Sequence, residues 1–211
     1  MSFSITIIII GVTVGVSLLA WNKPTLMQKW IFNPYQIQSE GEYYRFLTSG
    51  FIHQDYMHLL FNMLTLYFFG SIIEQVYAYI YGSNGVWIYV ALYLIAIVIS
   101  SITTFFKHRD NPAYNSLGAS GGVSAILFSS ILFNPTSTIY LFFAIPVPGF
   151  ILGALFLIYS YQQSKQMRGR INHDAHLMGA VFGVIFTVAL QPQVISSFVE
   201  QISQYQLFGS L

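Results

Sequence analysis

From Val86 to Phe106 the chain reads VWIYVALYLIAIVISSITTFF, an apolar run without one charged side chain. A helix rises about 1.5 Å per residue, so such a run is long enough to cross a hydrocarbon layer of about 30 Å. Working outward, apolar stretches of similar character occupy about 3–21, 56–77, 116–133, 147–163 and 174–190. The expected fold is therefore all-α, a polytopic membrane protein whose residues 1–211 form one domain, a bundle of six transmembrane helices. Composition agrees. Only 7% of the 211 residues are charged, against about 25% in soluble domains, and 55% are hydrophobic, far too many for a disordered chain. A net charge of +1 leaves no footprint for nucleic acid. The absence of cysteine excludes disulfides, thiolate chemistry, iron–sulfur clusters and Cys-ligated zinc.

Polar breaks set the expected connections. The first stretch lacks a basic leading segment and a polar cleavage region, which reads as a retained helix rather than a signal peptide. Residues 22–50 mix Lys23, Lys29, Glu40, Glu42 and Arg45 with Trp30, Phe32, Tyr43 and Tyr44, a composition suited to a folded loop in the membrane interface. Gly82-Ser83-Asn84-Gly85 predicts a turn, and Asn134-Pro135 a helix stop. Pro146-Val147-Pro148-Gly149 interrupts the fifth stretch, which predicts a turn or half-helix over Ile139 to Ile145 ahead of the span. The tail from Gln191 reads as a short amphipathic segment.

With six spans, the loops after the first, third and fifth share one membrane face. Three polar clusters follow those loops: His58 with Asn62, Gly118-Ala119-Ser120-Gly121-Gly122, and His173-Asp174-Ala175-His176. Each sits a few residues inside its helix, so all three reach similar depth below one face. A charge at mid-bilayer costs about 2.5–3.5 kcal/mol on the insertion scale, so polar groups retained there point to function.

Each cluster has a chemical reading beside a plain one. Ser120 opens a glycine-rich helix start, where free backbone N–H groups and the helix dipole suit an oxyanion; the same pentapeptide is also a small-residue packing face. His176 shares a helix face with Gly179 and Gly183. That groove would admit a close neighbour such as Gly121, Gly122 and Ala125, which would set Ser120 beside His176 as a base-activated nucleophile. Alternatively His176 bonds a neighbouring helix. His58 and Asn62, four residues apart, are either oxyanion donors or interhelical glue. A metal site at His173 and His176 is disfavoured, with no HExxH, no Cys, and carboxylates beside the histidines limited to Asp55 and Asp174. Asp174 is two residues from His176 and so points to another side.

Taken in order, these segments resemble the rhomboid intramembrane serine proteases over nearly the whole stretch from Tyr43 to Gly183. Tyr44-Arg45 resembles the family's aromatic-Arg element, and His53-x4-His58-Leu-Leu-Phe-Asn62-Met its helix-two signature. Gly118-Ala119-Ser120-Gly121 is similar to GxSG, and Ala175-His176-x-x-Gly179-x3-Gly183 to the sixth-helix motif. The resemblance implies a Ser120–His176 dyad without an aspartate, with the oxyanion held by His58, Asn62 and the Ser120 N–H. Gly118, Gly121, Gly179, Gly183 and Arg45 would support the site, and neither cofactor nor metal is implied. Substrates would be transmembrane proteins cut near a membrane face within the lipid bilayer. One position departs: many members carry an aromatic four residues after the serine, stacked on the histidine, where this chain has Ser124.

Two rivals remain in view. A catalytically silent rhomboid-like protein would bind transmembrane segments, although such relatives usually lack the serine or histidine. A small transporter or channel would need polar residues in both halves of the bundle, and Glu74 is the acidic hint of one. Topology carries opposing signals. All eight basic residues, Lys23, Lys29, Arg45, Lys107, Arg109, Lys165, Arg168 and Arg170, fall on the odd-loop face, which the positive-inside rule assigns to the cytoplasm. The resemblance instead implies cytoplasmic termini and an active site open to the extracytoplasmic side of the cell (inner) membrane.

Overall fold

In the computed structural model, which describes residues 4–141, 144–166 and 172–206, helix α1 (Ile5–Asn22) begins on a carboxylate from another helix. Glu74 accepts from the Ser4 hydroxyl at 2.7 Å and from the backbone N–H groups of Ile5 and Thr6 at 2.7 and 3.0 Å. Orphan N–H groups at a helix start need such an acceptor, and the dipole favours a negative one. Glu74 is thus committed to a helix cap.

The first loop is folded, as its composition predicts. It contains three short helices, α2 (Pro24–Trp30), α3 (Pro34–Glu40) and α4 (Arg45–Thr48). The buried Arg45 ties α4 to the end of α2: it donates to Glu42 at 2.6 Å and to the carbonyls of Gln28 and Ile31, both at 2.8 Å. The Arg45 guanidinium holds the Glu42 carboxyl below the usual carboxylate range.

The second stretch begins at α5 (Tyr56–Thr65), N-capped by Asp55, which accepts from the His58 N–H at 2.8 Å. It passes through a π-helical turn, Leu66–Gly70, into α6 (Ser71–Tyr81), and so runs past the expected end at residue 77. The expected 86–106 span is two helices, α7 (Gly85–Ser100) and α8 (Ile102–His108). The break falls where the Ser100 and Ser101 hydroxyls both donate back to the Ile97 carbonyl, a contact that competes with the helix ladder.

Helix α9 (Ser120–Phe133) starts four residues later than expected. The preceding segment is extended instead: Ser116 exchanges two backbone hydrogen bonds with Phe32, each at 3.0 Å, and Gly118 has φ of 118°. A correction concerns residues 139–145. The described ones form no half-helix: Ile139–Leu141 and Ile145 belong to an antiparallel hairpin, β1 (Thr138–Leu141) against β2 (Ile145–Pro148), with Ile139 opposite Val147 and a turn at Ala144, whose N–H donates to the Leu141 carbonyl at 3.1 Å. Thr138, Ile139 and Tyr140 favour extended backbone, and in a two-stranded hairpin Pro146 and Pro148 can leave an edge unpaired. Helix α10 (Gly149–Gln166) follows, then α11 (His173–Leu190) and the tail helix α12 (Val194–Ser203). The basic residues Arg168 and Arg170 lie outside the described residues.

Helix α9 is the axis of the bundle: every residue from Gly121 to Leu132 is buried. Fully buried Tyr77, Tyr89 and Tyr93 pack around it. Their polar tips are partly used inside the core, where the Tyr77 hydroxyl lies 3.2 Å from Ser129 Oγ, itself 2.6 Å from Thr187 Oγ1. Outward faces are apolar instead, with Ile7, Ile8, Val12 and Leu19 on α1 and Leu155 and Ile158 on α10 exposed. Three stretches among the described residues are long and apolar enough to cross a membrane: Ile5–Asn22, Tyr56–His108 and His173–Leu190. Ser120–Phe133 is apolar but shorter.

Candidate active site

The contact between α9 and α11 is made of backbone. A Cβ built on Gly179 would collide with the carbonyl of Gly121, and one on Gly183 with that of Ala125. On its other side α9 docks on α7 just as closely, since a Cβ on Gly121 would strike Ser100 Oγ and one on Gly122 would lie 2.9 Å from the Tyr93 ring. Small-xxx-small spacing permits this approach. It brings the first turn of α9, which carries Ser120, beside the turn of α11 that carries His176. Both residues line one cavity of about 470 Å³.

The same cavity is lined by His58 and Asn62. Gly118 explains how His58 fits: a Cβ there would lie 2.6 Å from His58 Cε1 and 2.8 Å from Nε2, and the positive φ is one that side chains rarely adopt. Buried Asn62 donates one amide hydrogen to the His58 carbonyl at 2.8 Å. Its NH₂ group retains a second donor. A larger, more polar cavity of about 950 Å³ shares His58, Ser116 and Asn172 with the first and is also lined by Lys107, Asn111 and Tyr114.

Two residues to which sequence reasoning gave no role hold the serine loop in place. His53 is fully buried; its Nε2 accepts from the Ala119 N–H at 3.3 Å. Its Nδ1 therefore carries the proton and donates to Ser17 Oγ at 3.0 Å, and Ser17 donates on to the Phe51 carbonyl at 3.1 Å. Burial, with His58 nearby, lowers the His53 pKa to about 3 and keeps the ring neutral. Asn172 caps α11 by accepting from the Ala175 N–H at 3.0 Å, accepts from Thr104 Oγ1 at 3.1 Å and reaches Ser116 Oγ at 3.4 Å. An Asn directly before a helical run was a legible cap signal. From the opposite side the Gly118 N–H donates to Ser49 in the folded first loop at 2.9 Å.

The imidazole of His176 lies in an offset, near-parallel arrangement with Phe156 of α10, with ring centroids 5.9 Å apart and planes 22° from parallel. The edge of His173 approaches at 5.6 Å. Asp174 turns away, as its spacing predicts, and pairs with Lys107 at 3.0 Å. Ser124 is buried and lines the cavity. Among the described residues no hydrogen bond joins Ser120 to His176.

Comparison with known proteins bears on this arrangement. Residues 40–193 match the Rhomboid domain family. The chain belongs to the rhomboid family. It is 30% identical over 177 residues to RHOMBOID-like protein 12, mitochondrial, of Arabidopsis thaliana, covering 75% of this chain and 51% of that protein. It is 28% identical over 153 residues to the Arabidopsis Rhomboid-like protein 11, chloroplastic, covering 68% and 51%. Rhomboid-related protein 1 of Caenorhabditis elegans is 24% identical over 184 residues, 83% of this chain and 47% of the relative. This rhomboid thus spans about half the length of the curated relatives it matches. The family and the apolar helices make it an integral membrane protein, mostly helical.

Proposed function

We propose that this rhomboid is an intramembrane serine protease that hydrolyses peptide bonds in or beside transmembrane segments of other proteins. The observation that carries the reading is the shared cavity: Ser120, His176, His58 and Asn62, drawn from three helices, all line it. Ser120 Oγ attacks the scissile carbonyl while an imidazole nitrogen of His176 takes its proton. The tetrahedral oxygen is received by the Ser120 N–H, the free Asn62 amide hydrogen and the His58 ring N–H. Collapse breaks the C–N bond, and His176 passes the proton to the leaving amine. Water then attacks the acyl-enzyme with His176 again as base, releasing the acid and restoring Ser120. Catalytic hydrogen bonds are often long before substrate binds, so a dyad that closes in the complex is consistent with this geometry.

In this reading six helical segments span the bilayer in one domain, counting α5 with α6, α7 with α8, and α9 and α10 as spans beside α1 and α11. A stretch of Tyr, Gln, Ser and Lys ends α10 at the odd-loop face. The cavity opens to the extracytoplasmic side.

The test is a fluorophosphonate probe on the purified protein, together with cleavage of a reporter transmembrane segment. The expected result is covalent labelling and cleavage by the wild type, both lost in Ser120→Ala, with cleavage lost in His176→Ala, since dyad members act as a unit. Binding of the transmembrane segment with neither labelling nor cleavage would mark a silent, segment-binding rhomboid instead. The transporter reading loses its support at Glu74, whose carboxylate caps α1.

A further inference from the structure

Serine and histidine stand on α9 and α11, yet among the described residues the aromatic ring lying near-parallel to His176 comes from a third helix. Phe156 stacks on His176 at 5.9 Å and 22°, an offset geometry that aromatic pairs favour. Phe156 is itself held from behind by Phe128 of α9, with centroids 5.7 Å apart, and packs with Leu127, Phe128 and Ile131. One turn earlier Gly153 lets α10 approach the same residues: a Cβ there would lie 3.2 Å from Ile131 Cδ1 and 3.5 Å from Phe128 Cε1. The neighbouring positions Leu155, Ile158 and Tyr159 are exposed on the outer face of α10. Phe156 and Leu157 are the half-buried members of this turn, both packed toward α9, and the Phe156 ring lines one wall of the cavity.

Among the described residues no hydrogen bond fixes the plane of the imidazole. Asp174 is committed to Lys107, Ser124 has no ring to offer, and His173 touches the base by its edge. We propose that Phe156 is the positioning residue of His176, so that the orientation of the base depends on how α10 is seated against α9 and α11. The proposal rests on the protease reading for its kinetic consequences but not for the stack itself. A stack of this kind biases one side-chain orientation by roughly threefold to tenfold.

The experiment compares Phe156→Leu with Phe156→Tyr in purified, detergent-solubilised protein. The leucine variant is expected to lose about threefold to tenfold in kcat with KM and Tm near the wild-type values, and the tyrosine variant to keep wild-type kcat. A kcat for Phe156→Leu within error of the wild type, or a tyrosine variant no better than leucine, overturns the proposal. A fall in Tm with kcat intact does so too, because it marks Phe156 as packing alone. If leucine does not fold, Phe156→Met replaces it in the same comparison. A readout independent of turnover separates this proposal from the protease reading: the His176 ring resonance, assigned by its loss in His176→Ala. That line should be sharp in wild type and Phe156→Tyr and broadened by rotamer exchange in Phe156→Leu. An unchanged line refutes the positioning role even in a protein with no protease activity, while a broadened line upholds it there.

Discussion

Gly183 rests against the backbone of Ala125, so closely that the two helices have no room for a β-carbon between them. That contact, with its neighbour between Gly179 and Gly121, sets the distance between the helices bearing Ser120 and His176.

Gly183→Ala should therefore do what alanine rarely does in a helix. Overpacking of this kind costs about 1–3 kcal/mol, and a misplacement of about 1 Å can lower a rate by 10²-fold. We expect a lower Tm and about a hundredfold loss of cleavage, although no catalytic group has changed. Gly15→Ala is the control, since a Cβ there meets nothing within 4 Å. Equal activity in both variants would place the decisive helix contact elsewhere.

Asn62→Ala should act on kcat. Removing one oxyanion donor typically lowers kcat by about 10²–10³-fold, and the substrate's ground state does not need that donor. Single-turnover kinetics should show slow acylation with little change in substrate affinity. A defect confined to affinity, or a large fall in Tm with acylation intact, would assign Asn62 to helix packing.

His53 should make stability pH-dependent. Its folded pKa, about 3, lies below the unfolded value of about 6.5, so between these values the unfolded chain binds a proton that the native ring refuses. The stabilising contribution is complete above about pH 6.5 and is lost as pH falls toward the folded pKa. Tm measured from pH 7 to pH 4 should fall more steeply for the wild type than for His53→Gln, which keeps an acceptor for the Ala119 N–H. Parallel curves would mean that His53 is not the titrating group.

Orientation is tested by two cysteines in a chain that has none. Asn111 and Ser83 are both exposed, at opposite ends of the α7–α8 pair. An extracytoplasmic site requires that a membrane-impermeant maleimide label Asn111→Cys in intact cells and spare Ser83→Cys. The reverse pattern would show that the eight basic residues govern insertion and that cleavage occurs from the cytoplasmic side.

Much of this protein is decided locally and so could be read along the chain. Long uncharged runs must be helical in a bilayer, because no water is present to satisfy open backbone groups; α1 and α11 fall within two residues of their expected limits. The i, i+3 and i, i+4 periodicity placed His176 with Gly179 and Gly183, and His58 with Asn62, on common helix faces. Other features depended on partners distant in sequence. Extended pairing of Ser116 with Phe32 delayed the start of α9, and strand pairing turned the proline-flanked segment into a hairpin. Glu74 looked like a step in a polar path until its acceptors found Ser4, Ile5 and Thr6, some seventy positions away. Position 124 offered no ring to His176, and only the docking of α10 lays the Phe156 ring beside it. Helical periodicity reports which residues share a face, but which faces meet is settled by backbone-to-backbone fit between helices, and that fit has no local signature.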